Sequence, residues 1–106
     1  MNQAGSGCSA AEPYALRVMG DSMSPEFNDG HIIIVDPGMP AISGAFVVVD
    51  YDGDTTFRQF IIEDGKKYLH ALNQAYPRTE IKGEYAIRGV VVQRSGRRRK
   101  ETKHYY

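Results

Sequence analysis

The chain has no tryptophan, a single cysteine and no net charge, with 13 basic groups set against 13 acidic ones. A lone Cys8 excludes an intrachain disulfide and a multi-cysteine zinc site, and makes a reducing cytoplasm the expected compartment. Long apolar runs are also missing. The longest, Ile32 to Val35 and Ala45 to Val49, fall far short of the ~20 residues that cross a bilayer, so no membrane partner is expected. Residues 1–12 contain no basic group and no apolar stretch, which excludes a secretory signal and reads as a flexible leader of Gly, Ser and Ala. What is present is 106 residues of ordinary globular composition, 42% hydrophobic and 25% charged, enough for one domain with one modest core.

The zero charge is a cancellation. Residues 94–106 hold six cations (Arg94, Arg97, Arg98, Arg99, Lys100 and Lys103) and one acid, Glu101, a net +5, so the preceding body carries −5. The sequence therefore divides into a leader (1–12), an acidic body (13–93) and a basic tail (94–106).

Within the body, β-branched segments alternate at short intervals with Gly, Asp, Asn and Pro, the pattern of an all-β domain built of hairpins with little helix. Strands are expected over Tyr14 to Val18, His31 to Val35, Ala45 to Tyr51, Thr55 to Ile62, Lys67 to Leu72, Thr79 to Lys82 and Tyr85 to Gln93. Asp52-Gly53 and Asp64-Gly65 are hairpin dipeptides, because both residue types tolerate positive φ. The unbroken apolar run at Ile32 to Val35 predicts burial on both faces. Gly20 to Phe27 is a turn with room for one helical turn, and the closing strand, Tyr85 to Gln93, is expected at a sheet edge, where it offers a surface for self-association.

The segment Gly20-Asp21-Ser22-Met23-Ser24-Pro25 joins the first strand to a buried one, which leaves Ser22 accessible yet rigidly held. Those are the requirements of a nucleophile whose tetrahedral intermediate is stabilised by nearby backbone N–H groups, here those of Ser22 and Met23. The same residues also make an ordinary turn with a capping side chain.

The order of features around that serine resembles a known family. Leu16-Arg17-Val18-Met19-Gly20-Asp21-Ser22-Met23-Ser24-Pro25 is followed by Asn28-Asp29-Gly30 and the strand to Asp36, then by Gly44, Thr56-Phe57-Arg58-Gln59-Phe60, Leu72-Asn73-Gln74-Ala75-Tyr76-Pro77 and Ile87-Arg88-Gly89-Val90-Val91. Over about 80 residues this is similar to the C-terminal domain of LexA-type repressors and UmuD-type proteins, self-cleaving serine peptidases related in fold to bacterial signal peptidases. The resemblance implies an all-β peptidase fold, a place in transcriptional or SOS stress regulation, homodimer formation and a RecA-type filament as partner. It also implies catalysis by Ser22 with a lysine base, a Ser-Lys variant of the serine triad in which burial lowers the lysine pKa until the neutral amine accepts the serine proton.

At the lysine position stands Arg58. A guanidinium keeps its proton in any protein environment and cannot act as that base, so the enzymatic reading is joined by a second one, a catalytically inactive dimerisation or interaction module. Lys66 and Lys67 read as solvated turn charges, and Lys82 is no better placed to act as the base. Ala4-Gly5, of the type such proteins cleave, lies only 17 residues before Ser22, closer than the family spacing. A signal-peptidase-like enzyme is disfavoured by the missing membrane anchor, and a helix-turn-helix has no room in this length.

His31, His70 and His104 show no paired-ligand spacing, and a Ser22-His70-Asp triad has nothing in the sequence to orient it, so neither metal nor cofactor is expected. The tail is a candidate arm for non-specific nucleic acid, since Arg94, Arg97, Arg98, Arg99, Lys100 and Lys103 can neutralise phosphates. It can equally fold back on the acidic body.

Overall fold

A computed structural model describes residues 12–95 and 102–105. Most of the leader, with Cys8 and Ala4-Gly5, and the cations Arg97, Arg98, Arg99 and Lys100 lie outside the described residues.

The described chain is all β: β1 (Tyr14–Arg17), β2 (Ile32–Asp36), β3 (Phe46–Tyr51), β4 (Asp54–Glu63), β5 (Lys66–His70), β6 (Thr79–Glu80), β7 (Tyr85–Ser95) and β8 (Lys103–His104). They form one antiparallel sheet in the order β1-β2-β7-β3-β4-β5-β6, with β8 paired to the far end of β7. Both hairpins close as the dipeptides predict. Asp52 and Gly53 have φ of 54° and 85°, Asp64 and Gly65 have 52° and 77°, and the flanking pairs are Tyr51 with Asp54 and Glu63 with Lys66. Positive φ at both central residues matches the right-handed twist of the flanking strands.

The sheet is buried on both faces at its centre. On one face Val18, Met23, Phe27, Ile33, Val35, Val48 and Val91 form a core; on the other, Ala45, Val47, Val49, Phe60, Leu69 and Val90 form a second. This explains the uninterrupted burial of Val47, Val48 and Val49, since β3 sends alternate side chains into each core.

Two expectations are corrected. The strand expected as an edge, β7, is central, hydrogen-bonded to β2 on one side and β3 on the other. It is last in the body but enters between earlier strands, and its buried Gly89-Val90-Val91 segment leaves no free edge there; among the described residues the edges of the main path are β1 and the two-residue β6. The second correction concerns β2, which alternates despite its apolar run: Ile33 and Val35 are buried, Ile32 and Ile34 half-buried.

The tail does not start where the charge changes. β7 runs on to Ser95, and Lys103 and His104 return antiparallel to Arg94 and Gln93, with the Tyr105 amide donating to the Val92 carbonyl at 2.8 Å. Tyr105 then packs on Phe27 and Phe46, at ring-centroid distances of 5.4 Å each.

β7 carries two irregularities, opposite Ile34/Val35 and Val48/Val49, where one residue of β7 is skipped in each register. Such bulges bend a strand and increase its twist. Gly89 lies between them, and a Cβ there would run into Val35 Cγ1 and meet the Asp36 backbone at 3.3 Å, so only glycine permits this approach of β7 to β2.

Candidate active site

The serine turn is built from the chain upward. Val18 and His31 tie its base, the Val18 amide donating to the His31 carbonyl and the Gly30 amide to the Val18 carbonyl, each at 2.8 Å. Gly20 turns the chain at φ +86°, a conformation that L side chains rarely adopt, and its amide is capped by Asp29 Oδ1 at 2.7 Å. The Ser24 amide to Asp21 carbonyl bond (3.1 Å) and the Phe27 amide to Met23 carbonyl bond (2.9 Å) close the segment from Gly20 to Phe27 as hydrogen-bonded turns; the helical turn for which the sequence left room is not formed, and the Ser24-Pro25 peptide bond is cis. Met23 and Phe27, 1% and 0% exposed, anchor that turn in the first core.

A second loop clamps it from outside. Asn73 donates its Nδ2 to the Asp21 carbonyl (2.9 Å) and its backbone amide to the Ser22 carbonyl (3.0 Å), while the Tyr76 hydroxyl donates to Asp21 Oδ1 (2.6 Å). The Asp21 carboxylate pushes the Tyr76 hydroxyl above its usual pKa, because the hydrogen bond favours the protonated phenol.

Arg58 meets this turn from β4. Its Nη1 donates to Ser22 Oγ at 3.1 Å and to the Phe57 carbonyl at 2.8 Å, joining residues 36 apart in sequence. Among the described residues no other side chain hydrogen-bonds Ser22 Oγ. The backbone N–H groups of Ser22 and Met23 have no hydrogen-bond acceptor among the described residues. Burial lowers the Arg58 pKa, opposed by Tyr76, yet the guanidinium stays protonated, as arginine does in proteins. Ser22 and Arg58 line a cavity of about 420 Å³ whose other walls include Leu16, Val18, Met19, Ile33, Val48 and Phe57.

Comparison with known proteins gives this geometry its family. The sequence profile described as peptidase S24-like matches residues 4–92. The chain belongs to that family. Over 87 residues, 76% of this chain and 40% of the relative, it is 42% identical to the HTH-type transcriptional regulator for conjugative element SXT of Vibrio cholerae. It is 42% identical over 83 residues, 74% of this chain and 37% of the relative, to the prophage repressor CohE of Escherichia coli. It is 32% identical over 83 residues, 77% of this chain and 41% of the relative, to a LexA repressor of Verrucomicrobium spinosum. The S24-like chain thus spans about two fifths of the length of the curated relatives it matches.

Of the residues singled out from sequence, this S24-like structure brings Ser22 and Arg58 into contact. It leaves Lys66, Lys67 and Lys82 exposed, with Lys67 Nζ lying 5.9 Å from the Tyr85 ring centroid. Arg94 and Lys103 are placed elsewhere, on Glu26 in the strand-return at the far end of the serine turn. Lys103 Nζ approaches Glu26 Oε2 at 2.7 Å, Arg94 Nη1 lies 3.6 Å from the same oxygen and donates to the Glu26 carbonyl at 2.5 Å, and the Tyr105 hydroxyl donates to Oε2 at 2.6 Å. These hydrogen bonds, from Lys103 first and then Tyr105, hold the Glu26 carboxyl below its ordinary pKa. Burial and the Glu26 carboxylate together push the Tyr105 hydroxyl well above its own.

Sequence reasoning missed Asn73, Tyr76, Asp29 and Glu26 as the groups that hold the serine turn. Asn73 and Tyr76 stood in a matched segment of the family resemblance, which marked them without showing what they touch. Glu26 carried no signal, because its partners lie 68 to 79 residues away.

Proposed function

We propose that this S24-like domain is a unit of a transcription regulator in which the serine is retained while autoproteolysis is silent, so that the domain serves as a protein-interaction module. The observation that carries this reading is the Arg58 Nη1 donor 3.1 Å from Ser22 Oγ. A Ser-Lys mechanism needs a group at that place that accepts the serine proton, and a permanently protonated guanidinium can only donate. Fold, serine and accessible cavity remain, and the missing element is the base.

The test is incubation at mildly alkaline pH followed by intact-mass measurement. Wild type is expected to keep its mass, and Arg58→Lys to release an N-terminal peptide or cleave a supplied one, with Ser22→Ala in the Arg58→Lys background abolishing the reaction. Cleavage by wild type that Ser22→Ala removes sinks the reading. A RecA-type filament is expected to leave wild type intact, since it supplies no base within the cavity.

Self-association through this domain and repression as a whole-protein activity are part of the same proposal, supported by the similarity to repressors and transcriptional regulators. The phosphate-contacting arm is narrowed to Arg97, Arg98, Arg99 and Lys100, because Arg94 and Lys103 are engaged at Glu26. Replacing those four by Ser, rather than truncating after Gln93 and losing Tyr105 with them, should remove salt-sensitive nucleic-acid binding; unchanged binding and salt slope would discard the arm.

A further inference from the structure

We propose that the cavity beside Ser22 is a receptor for the free α-carboxylate of an extended peptide, with Arg58 as the carboxylate-binding group and the outer edge of β1 as the strand on which the peptide lies. The proposal rests on the silent-chemistry reading above and names the ligand class of the same site.

The guanidinium is incompletely satisfied. Nη1 gives its two hydrogens to neutral oxygens, Ser22 Oγ and the Phe57 carbonyl. Nε and Nη2 make no hydrogen bond to a described residue, and neither is a fully buried atom without a partner, so each keeps some access to solvent. That Nε and Nη2 edge is the one that matches a carboxylate with two parallel N–H to O bonds. No described carboxylate forms an ion pair with Arg58; Asp21, in the same cavity wall, has its Oδ1 on the Tyr76 hydroxyl. A half-buried cation with only neutral partners is unfavourable in its charged form, as the lowered pKa of Arg58 reflects, and an incoming anion offsets that cost.

The surroundings select a peptide over a small anion. Among the described residues β1 is paired to β2 alone, which leaves one row of its N–H and C=O groups for an added strand. Along the same cavity Leu16 and Met19 are 38% and 78% exposed, an apolar rim for the side chains preceding the carboxylate, and Arg17 places a second cation on that wall. Ser22 Oγ accepts from Arg58, which leaves its own hydrogen available to a carboxylate oxygen.

The probe is an N-terminally fluorescein-labelled peptide of sequence Gly-Val-Ala-Val-Leu, made with a free carboxylate and as the C-terminal amide, titrated by fluorescence anisotropy at low salt. The carboxylate form is expected to bind about 10-fold more tightly than the amide, the scale of one charge-assisted pair partly exposed to water. Arg58→Gln should bring the two forms to equal affinity. Equal binding of the two forms by wild type, or a preference that survives Arg58→Gln in protein with a wild-type melting profile, overturns the proposal. Acetate at the concentration of the peptide should leave it bound; displacement there would overturn the peptide assignment in favour of a small carboxylate. The same samples are weighed by mass spectrometry. Peptide cleavage by wild type defeats the silent-chemistry reading, whereas missing discrimination between acid and amide with the peptide intact defeats the receptor alone.

Discussion

Glu26 is the place where a single atom-scale change separates the returning tail from the serine turn. Glu26→Gln keeps the size of the side chain and removes its charge, so the bonds from Lys103 Nζ at 2.7 Å and the Tyr105 hydroxyl at 2.6 Å lose their charge assistance. Hydrogen bonds to charged groups contribute roughly 1.5–3 kcal/mol each and neutral ones about 0.5–1.5 kcal/mol. Lys103 is 49% exposed, which screens its share, while Glu26 is only 28% exposed. The expected loss at pH 7 is therefore about 1–2 kcal/mol in total, or roughly 5–12 °C in Tm for a domain of this size. The pH dependence has a definite sign. The folded-state pKa of Glu26 is depressed, so its contribution is fully present above the unfolded value, near about 4.3, and is lost as pH falls through the folded value. Thermal melts of wild type and Glu26→Gln should differ at pH 7 and converge as pH falls below the ordinary carboxylate range. A difference of the same size at both ends, or none at pH 7, would refute the assignment of Glu26 as the ionised anchor of the tail.

Other substitutions test the packing that positions the site. Phe27→Ala removes a fully buried ring edge-on to Phe46 and Phe57, each at 4.9 Å, and should cost about 3–5 kcal/mol in urea unfolding. Gly89→Ala drives a Cβ against the stiff, buried Val35 side chain and should cost about 1–3 kcal/mol, with β2 and β7 amides exchanging faster with solvent. Asn73→Ala deletes the side-chain half of the clamp on Asp21 and should cost about 1 kcal/mol, with faster amide exchange concentrated at residues 20–24 rather than in the sheet centre.

Much of the local architecture was legible along the chain, because it depends on residues close together. Asp52-Gly53 and Asp64-Gly65 read as hairpins, and both close with positive φ at the central pair. The turn over Gly20 to Phe27 was likewise local, held by bonds spanning three and four residues, though without the helical turn for which the sequence left room. Alternation was less secure. The apolar character of Ile32 to Val35 suggested burial on both faces, but β2 lies one strand from the edge and covers only Ile33 and Val35 completely; the same pattern at Val47 to Val49, in a strand between β7 and β4, is buried throughout. Apolar content alone does not locate a strand within its sheet.

The site divides in the same way. Through family resemblance, residue types and their order marked Ser22 as a candidate nucleophile and Arg58 as the residue expected to face it, and the two are in contact; the chemistry of a guanidinium then excludes Arg58 as a base whatever its surroundings. That conclusion belongs to the sequence, because it rests on side-chain identity. Which groups hold the serine turn, which strand is central and where Arg94, Lys103 and Tyr105 of the tail sit were decided by tertiary structure. β7 enters between β2 and β3, Asn73 reaches Asp21 across 52 residues, and Tyr105 and Lys103 return to Glu26 across 79 and 77. Turns are settled by the φ preferences of adjacent residues, whereas such pairings depend on which distant surfaces bury each other, and a net charge read along the chain cannot tell a cation bound to its own fold from one left for a partner.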